Sequence, residues 1–477
     1  MKISIQIISK TIITLIVLCT TLTANTLNDT TKSIVKIFAT KSTPSYKYPW
    51  QTSKIAKYTG SGAIISENRI LTAAHVVAGS RLLEIKKEND PKKYIAKIKY
   101  ISHQADLALL EVEDKSFFNN TKQLKLSTNT KVRDKVIVVG YPIGGKNVST
   151  TTGVVSRIEQ VYYIYSAESL LTIQVDAAIN SGNSGGAVVN DNNELVGIAM
   201  MKKLKAENIA YIVPTTIINT FLEDVKDKKV DGFSRVNSFY YPIENNTLKE
   251  YYGLKNGHGI VISKADKNND NIKINDIILS IDGKEIANNG TIATQYGRIS
   301  FSYIYTTKQI GDTIILDILR DKKHIKVSHT VSKSSKLIDY EFSKSPRYII
   351  YGGLVFAPIT RNYLYVMNKL EAEAIKKKLY SKKKTKDYEE AITMIPTVFP
   401  HNVNRGYTNW ASVLKSVNGT KVKSFKHLVE TLDSIEDKYT RFEFFESATI
   451  ILDTQKARES FKNIQYTYRL NSDRTVK

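Results

Sequence analysis

Between about residues 33 and 214 the apolar residues fall in short runs rather than in stripes spaced three and four apart. The runs at 33–38, 63–65, 135–139 and 194–198 are rich in β-branched residues and bounded by Gly, Asn or Pro, which predicts the short strands of an all-β barrel domain. At 215–230 the pattern turns helical: Ile217, Ile218, Phe221, Leu222 and Val225 share one stripe. The charged stretch 226–232 closes that helix as a linker. Beyond it one pattern occurs twice. The run from Ile277 to Ile281, with Asp282-Gly283 and a second short run ending at Ile286, returns as Val413 to Val417, Asn418-Gly419 and a run ending at Val422. Each copy reads as strand, tight turn, strand. The Ile and Val positions keep their offsets, which predicts two copies of one small domain.

With 477 residues the chain exceeds one ordinary core, and about three domains are expected. Apolar content of 42% and charged content of 24% are those of a soluble globular protein. The first residues stand apart: Lys2 and Lys10 are followed by an apolar run at 11–18 and small residues up to Ala24. That is the layout of an export signal cleaved near Ala24, with an uncleaved N-terminal anchor as the alternative. The apolar run is shorter than the roughly 20 residues of a spanning helix. The only cysteine, Cys19, lies inside the signal, so a thiol nucleophile and a thiolate metal site are excluded. Lys and Arg exceed Asp and Glu by 69 − 46 = 23. We read this as a solvated lysine-rich surface, with attraction to an anionic membrane as the alternative. The cluster of lysines at 376–386 suits an exposed helix and turn. No aromatic-interleaved basic motif speaks for nucleic acid.

Three segments carry candidate chemistry. His75 follows a strand and two alanines, small enough to let the ring lie against a neighbouring element. Asp106 heads the apolar run Leu107-Ala108-Leu109-Leu110, where a carboxylate is expensive to bury without a partner. A histidine Nδ1–H would be that partner and would fix the tautomer that a general base needs. The loop Asn180-Ser181-Gly182-Asn183-Ser184-Gly185-Gly186 is more specific. Its glycines allow a tight turn exposing the Ser184 hydroxyl, and the N–H groups of Gly182 and Ser184 can converge on a developing oxyanion. The order His75, Asp106, Ser184 is the chain order of the chymotrypsin fold. A plain strand-initiating Asp and a plain Gly/Ser/Asn loop are the alternatives for the second and third segments taken singly.

Thr72-Ala73-Ala74-His75-Val76, Ala105-Asp106-Leu107-Ala108 and the stretch from Asp176 to Gly186 resemble the three signatures of the HtrA/Deg serine proteases. The segments at 45–51, 286–291 and 351–358 resemble the atypical two-PDZ Deg proteases of plants. The resemblance implies a mainly β chain: a chymotrypsin-like double β-barrel, then two α+β PDZ-like domains. Its division would be a signal at 1–24, a protease domain at 30–230, and PDZ-like domains at 233–335 and 343–477. It implies ATP-independent cleavage of unfolded or damaged proteins without a cofactor or metal, trimer-based assembly, and a periplasmic or otherwise secreted location. It also makes Ile209, Ala210 and Tyr211 the lining of the primary specificity pocket, which without an acidic residue suits small or branched aliphatic side chains. Ser181 stands where the family usually has proline. The best match to a PDZ carboxylate loop is Arg235-Val236-Asn237-Ser238, in which Asn237 replaces glycine and would have to adopt positive φ. The second PDZ-like unit lacks such a loop and is expected to hold the assembly together. The reading from another class is a chaperone or peptide-binding scaffold with weak or latent proteolysis.

Overall fold

The computed structural model describes residues 30–475 apart from 164, 167, 181, 203–208, 255–256, 266–270, 335, 343 and 408–410. The expected signal at 1–24, and Ser181, therefore lie outside the described residues. Chain contacts divide the molecule into two units: one of Met1–Lys41 and Ala56–Ser334, the other of Ser42–Ile55 and Ser335–Lys477.

In the first unit the β-branched runs form two closed barrels. Strands β1 (Ile34–Lys41), β2 (Ala56–Ile65), β3 (Arg69–Thr72), β4 (Ser80–Lys87), β5 (Tyr94–Ser102) and β6 (Leu107–Val112) close in the order β1-β2-β3-β6-β5-β4. Strands β7 (Lys135–Gly140), β8 (Ser149–Tyr163), β9 (Glu168–Val175), β10 (Ala187–Val189), β11 (Leu195–Lys202) and β12 (Ala210–Pro214) close as β10-β11-β12-β9-β8-β7. Closure leaves no sheet edge unpaired, and inward-facing residues fill each interior. Val35, Ile37, Ile64, Ile70, Ala108 and Leu110 are among those packing the first barrel. Val136, Val138, Leu171, Ile173, Ile198 and Ile212 belong to the second core. The expected helix runs over Thr215–Asp224 and buries Ile217, Ile218 and Phe221 on that core. It is shorter than its apolar stripe: a single tight turn, Val225–Asp227, follows, and Lys228 in the left-handed region ends it.

A smaller sheet follows: β13 (Phe239–Pro242), β14 (Ile260–Lys264), β15 (Ile277–Ile281), β16 (Lys284–Glu285), β19 (Thr313–Arg320) and β20 (Lys323–Thr330), with the hairpin β17 (Thr291–Thr294) and β18 (Gly297–Ser300) apart. Its order is β13-β14-β15-β19-β20, so β13 is an edge.

The second unit carries the repeat. Its sheet joins β21 (Ile349–Tyr351), β22 (Leu354–Pro358), β23 (Ile392–Val398), β24 (Ser412–Val417), β26 (Tyr439–Phe444) and β27 (Ser447–Asp453), with β25 (Thr420–Lys421) on β24. The two repeat turns match in detail. Asp282 and Asn418 have φ of 46° and 47°, and each side-chain Oδ1 accepts from the backbone of the neighbouring strand, Ile315 N in one copy and Arg441 N in the other. The lysine-rich segment is a helix over Lys369–Leu379 followed by a turn, as its spacing suggests. One piece of this unit comes from far away. The segment Ser42–Ile55, which the sequence counts with the first barrel, packs here: Trp50 meets Tyr348 and Phe399 edge-on at 6.3 and 4.9 Å, and the Tyr46 hydroxyl donates to the Glu341 carbonyl at 2.7 Å.

Between β21 and β22 the chain reverses on Gly352-Gly353, both at positive φ. A Cβ on Gly353 would lie 2.3 Å from Asn404 Nδ2 and 2.4 Å from the Phe399 carbonyl oxygen. Gly353→Ala is therefore expected to destabilise the second unit by about 1–3 kcal/mol. The urea midpoint of its transition, followed by far-UV circular dichroism, should fall; an unchanged midpoint would show that the turn relaxes freely.

Candidate active site

The site is built on one turn. After β5 the chain turns through His103-Gln104-Ala105 into Asp106, whose φ of 55° lies in the left-handed region. Asp can occupy that region more readily than most residues. The turn aims its carboxylate at the short helix Ala74–Val77, which follows β3. Asp106 is 1% exposed, and both oxygens are met: Oδ1 accepts from the His75 backbone N–H at 2.8 Å and Oδ2 lies 2.7 Å from His75 Nδ1. Ala73 and Ala74 are wholly buried, so the short side chains are what let this helix lie close to the turn.

Three contacts hold the Asp106 turn. Tyr165, in the hairpin between β8 and β9, has its hydroxyl 2.7 Å from His103 Nδ1, and its ring lies edge-on to His75 at 6.1 Å. Ser166 donates to the Gln104 carbonyl at 2.8 Å. From the other side, the Phe233 N–H donates to Gln104 Oε1 at 2.7 Å. The linker before Phe233 is pinned too, because the buried Asp224 carboxylate accepts from the Asp231 and Gly232 N–H groups, each at 3.0 Å. Burial pushes His103 down to about 4, so it is neutral at ordinary pH. Burial first, and then the Asp106 charge, push Tyr163 and Tyr165 well up and keep both phenols protonated.

Ser184 sits on the loop before β10. Ser61, wholly buried in β2, fastens that loop to the first barrel. Its N–H donates to the Ser184 carbonyl at 2.9 Å, and its hydroxyl donates to the Gly182 carbonyl and accepts from the Tyr141 N–H, both at 2.8 Å. Gly185, with φ of 81°, lies so close to Thr72 that a Cβ there would be 2.2 Å from its hydroxyl. The N–H groups of Asn183, Gly185 and Gly186 each bond a carbonyl. Among the described residues those of Gly182 and Ser184 meet no acceptor. The Ser184 hydroxyl makes a long bond of 3.4 Å to the Met200 carbonyl.

The structure thus brings His75 and Asp106 into direct contact and sets Ser184 on a loop tied to the same barrel. Ile209 and Tyr211 are half-buried and Ala210 is buried at the start of β12, where Ala210 and Tyr211 pair with Val175 and Gln174 of β9. Val236 and Asn237 stand apart, beside the sheet that begins with β13. Asn237 is not at positive φ. Its amide donates to Ser332 Oγ and to the Lys333 carbonyl, both at 2.9 Å.

Sequence reasoning missed Ser61, His103, Tyr165 and Lys41. The Lys41 ammonium donates to the His75 carbonyl at 2.7 Å and lies over the Tyr58 ring. Burial lowers it to about 8, and the Asp106 charge acts the other way. Only Ser61 left a trace in the sequence, as the Gly60-Ser61-Gly62 interruption of a strand. Ser61→Ala would leave the Gly182 carbonyl and the Tyr141 N–H without their buried partner, at a cost of about 1–3 kcal/mol. Chemical denaturation should register that loss; a variant as stable as the parent would mean that the loop is fastened elsewhere.

The comparisons agree with this architecture. Residues 60–198 match the family model of a trypsin-like peptidase domain, and residues 338–476 that of a PDZ domain. The chain is 32% identical to the chloroplastic protease Do-like 2 of Arabidopsis thaliana, over 93% of this chain and 75% of that protein. It is 32% identical to the mitochondrial protease Do-like 4 of the same plant, over 94% and 86%. A DegP homolog of Plasmodium falciparum is 30% identical over 86% of this chain and 59% of its own length. Among solved structures, the HtrA-type protease AlgW with a decapeptide shares the fold at a TM-score of 0.50, with 22% identity over 65% of this chain and 98% of that one. The chain belongs to the Do-like (HtrA/Deg) family of serine proteases.

Proposed function

We propose that His75, Asp106 and Ser184 are the catalytic triad of this serine endopeptidase, and that the N–H groups of Gly182 and Ser184 form its oxyanion hole. The observation that carries the reading is the buried carboxylate of Asp106 meeting His75 through both its oxygens. That contact leaves Nε2 of the ring as the base. Ser184 Oγ attacks the scissile carbonyl carbon while its proton passes to Nε2. The carbonyl oxygen becomes an oxyanion facing the two unengaged N–H groups. The intermediate collapses as the imidazolium returns its proton to the leaving amine, and water repeats the cycle on the acyl-enzyme. The bond from Ser184 to the Met200 carbonyl marks a resting aim of the nucleophile. Hydrogen bonds between nucleophile and base often tighten only when substrate arrives. The same bond favours the second reading, a scaffold whose proteolysis is latent until that loop is re-aimed.

On this reading Ile209, Ala210 and Tyr211 line a loosely selective aliphatic pocket. The domain division is protease at 30–230 and PDZ-like domains at 233–335 and 343–477. The substrates are unfolded or damaged proteins, cleaved without ATP. The edge strand β13 beside Val236 and Asn237 receives extended peptides by strand pairing. The second PDZ-like domain supports a trimer-based homo-oligomer. The N-terminal segment directs export, to a periplasmic or other secreted location.

Ser184→Ala should lower turnover of a casein-like unfolded substrate by about 10⁴–10⁶-fold, and His75→Ala by a similar factor, because the triad acts as a unit. Wild-type cleavage by a pure Ser184→Ala preparation would overturn the assignment. Lys41 supplies the pH test. It is cationic below about 8, and its ammonium donates to the His75 carbonyl. The wild-type kcat/KM profile should therefore carry a shallow step near pH 8 that Lys41→Met lacks. Identical profiles across that range would reduce Lys41 to a packing role.

A further inference from the structure

The two repeated sheets finish their corresponding edges differently. The shared turns equate β15 with β24, which equates β14 with β23 and β13 with β22. In the first sheet β13 is an edge strand, whereas in the second β22 is covered by β21 through the Gly352-Gly353 hairpin. The outer edge of β21 is covered in turn by the residues that follow the helix Thr454–Tyr468. Arg469, in the left-handed region, turns the chain, and Leu470, 6% exposed, anchors it in the core with Ile350, Val355 and Ile464. The segment then runs antiparallel to β21, with Arg474 opposite Ile349. Ile350 N–H donates to the Asp473 carbonyl at 2.6 Å, and Thr475 N–H donates to the Tyr348 carbonyl at 3.1 Å. Arg474 Nη1 reaches both oxygens of Asp433, at 3.0 and 2.8 Å, on the helix Phe425–Ser434.

We propose that the outer edge of β21 together with Asp433 is a peptide-binding site, held by the segment 472–475 as a removable strap. Its exchange partner is an extended peptide with an arginine in register with Arg474. Two features make the strap removable. Residues 472–475 are all polar and half-buried, so after the Leu470 anchor no apolar burial opposes lifting them. What holds them is a short ladder of backbone bonds, the Thr475 hydroxyl bonded to the Pro346 carbonyl and the Tyr348 N–H, the Tyr348 hydroxyl on the Ser472 carbonyl, and one half-exposed ion pair to Asp433. An extended chain with arginine and threonine in those registers reproduces them. The ladder supplies affinity and Asp433 supplies selectivity for a basic residue. This inference goes beyond peptide-bond cleavage and does not rest on the triad.

The test uses a fluorescein-labelled peptide of residues 471–477 and fluorescence anisotropy, in a Ser184→Ala background that prevents its cleavage. A chain ending at Asn471 should bind the peptide at least tenfold more tightly than the full chain. Asp433→Lys in the shortened chain, or glutamate for arginine in the peptide, should abolish the gain. In the full chain Arg474→Glu should loosen the strap and admit the unaltered peptide, which answers the question even where shortening harms folding. Equal binding to the full chain and the Arg474→Glu chain would overturn the proposal. So would binding to the shortened chain that is indifferent to Asp433→Lys, since that peptide would be docking elsewhere, such as on β13.

Discussion

A carboxylate shut away from water costs several kcal/mol unless its oxygens are met by donors. Asp106 is such a carboxylate, and His75 meets it twice, through its backbone and its ring. The rest of the first unit can be understood as the apparatus that keeps this contact in place. A left-handed backbone at Asp106 turns the carboxylate inward. The β8–β9 hairpin and the linker leading to β13 both grip the residues just before it. Elements from both barrels and from the approach to the next sheet thus converge on one four-residue turn.

The serine loop is held by a different logic. Ser61 bonds it from the first barrel, while Gly185 lies so close to Thr72 that no side chain fits. The tie fixes the carbonyls of Gly182 and Ser184, and on the proposed reading their N–H groups are left for an oxyanion. Stability and preorganisation come here from the same bonds. Such a site needs little reorganisation during reaction, which is the usual source of electrostatic catalysis.

Much of this was legible because its signals are local. The β-branched runs became barrel strands, and the Asp282-Gly283 and Asn418-Gly419 turns became two matching hairpins. His75, Asp106 and the Ser184 loop stood out through residue type and chain order. What could not be read depends on partners distant in sequence. Nothing around Trp50 announces Tyr348 and Phe399, some three hundred residues on. Nothing around His103 announces Tyr165, and Lys41 looks like any surface lysine until its ammonium is found against the His75 carbonyl. Asn237 shows the same dependence: its amide is engaged by Ser332 and Lys333, nearly a hundred residues on.

The central claim is that Ser184 is made nucleophilic by the His75–Asp106 pair. Covalent labelling tests it most directly: the protein is reacted with a fluorophosphonate, digested, and the modified serine located and timed by mass spectrometry. The account predicts one adduct, on Ser184, forming at least a thousandfold more slowly after His75→Ala. A stoichiometric adduct on another serine, Ser181 included, or an unchanged labelling rate without the imidazole, would contradict it.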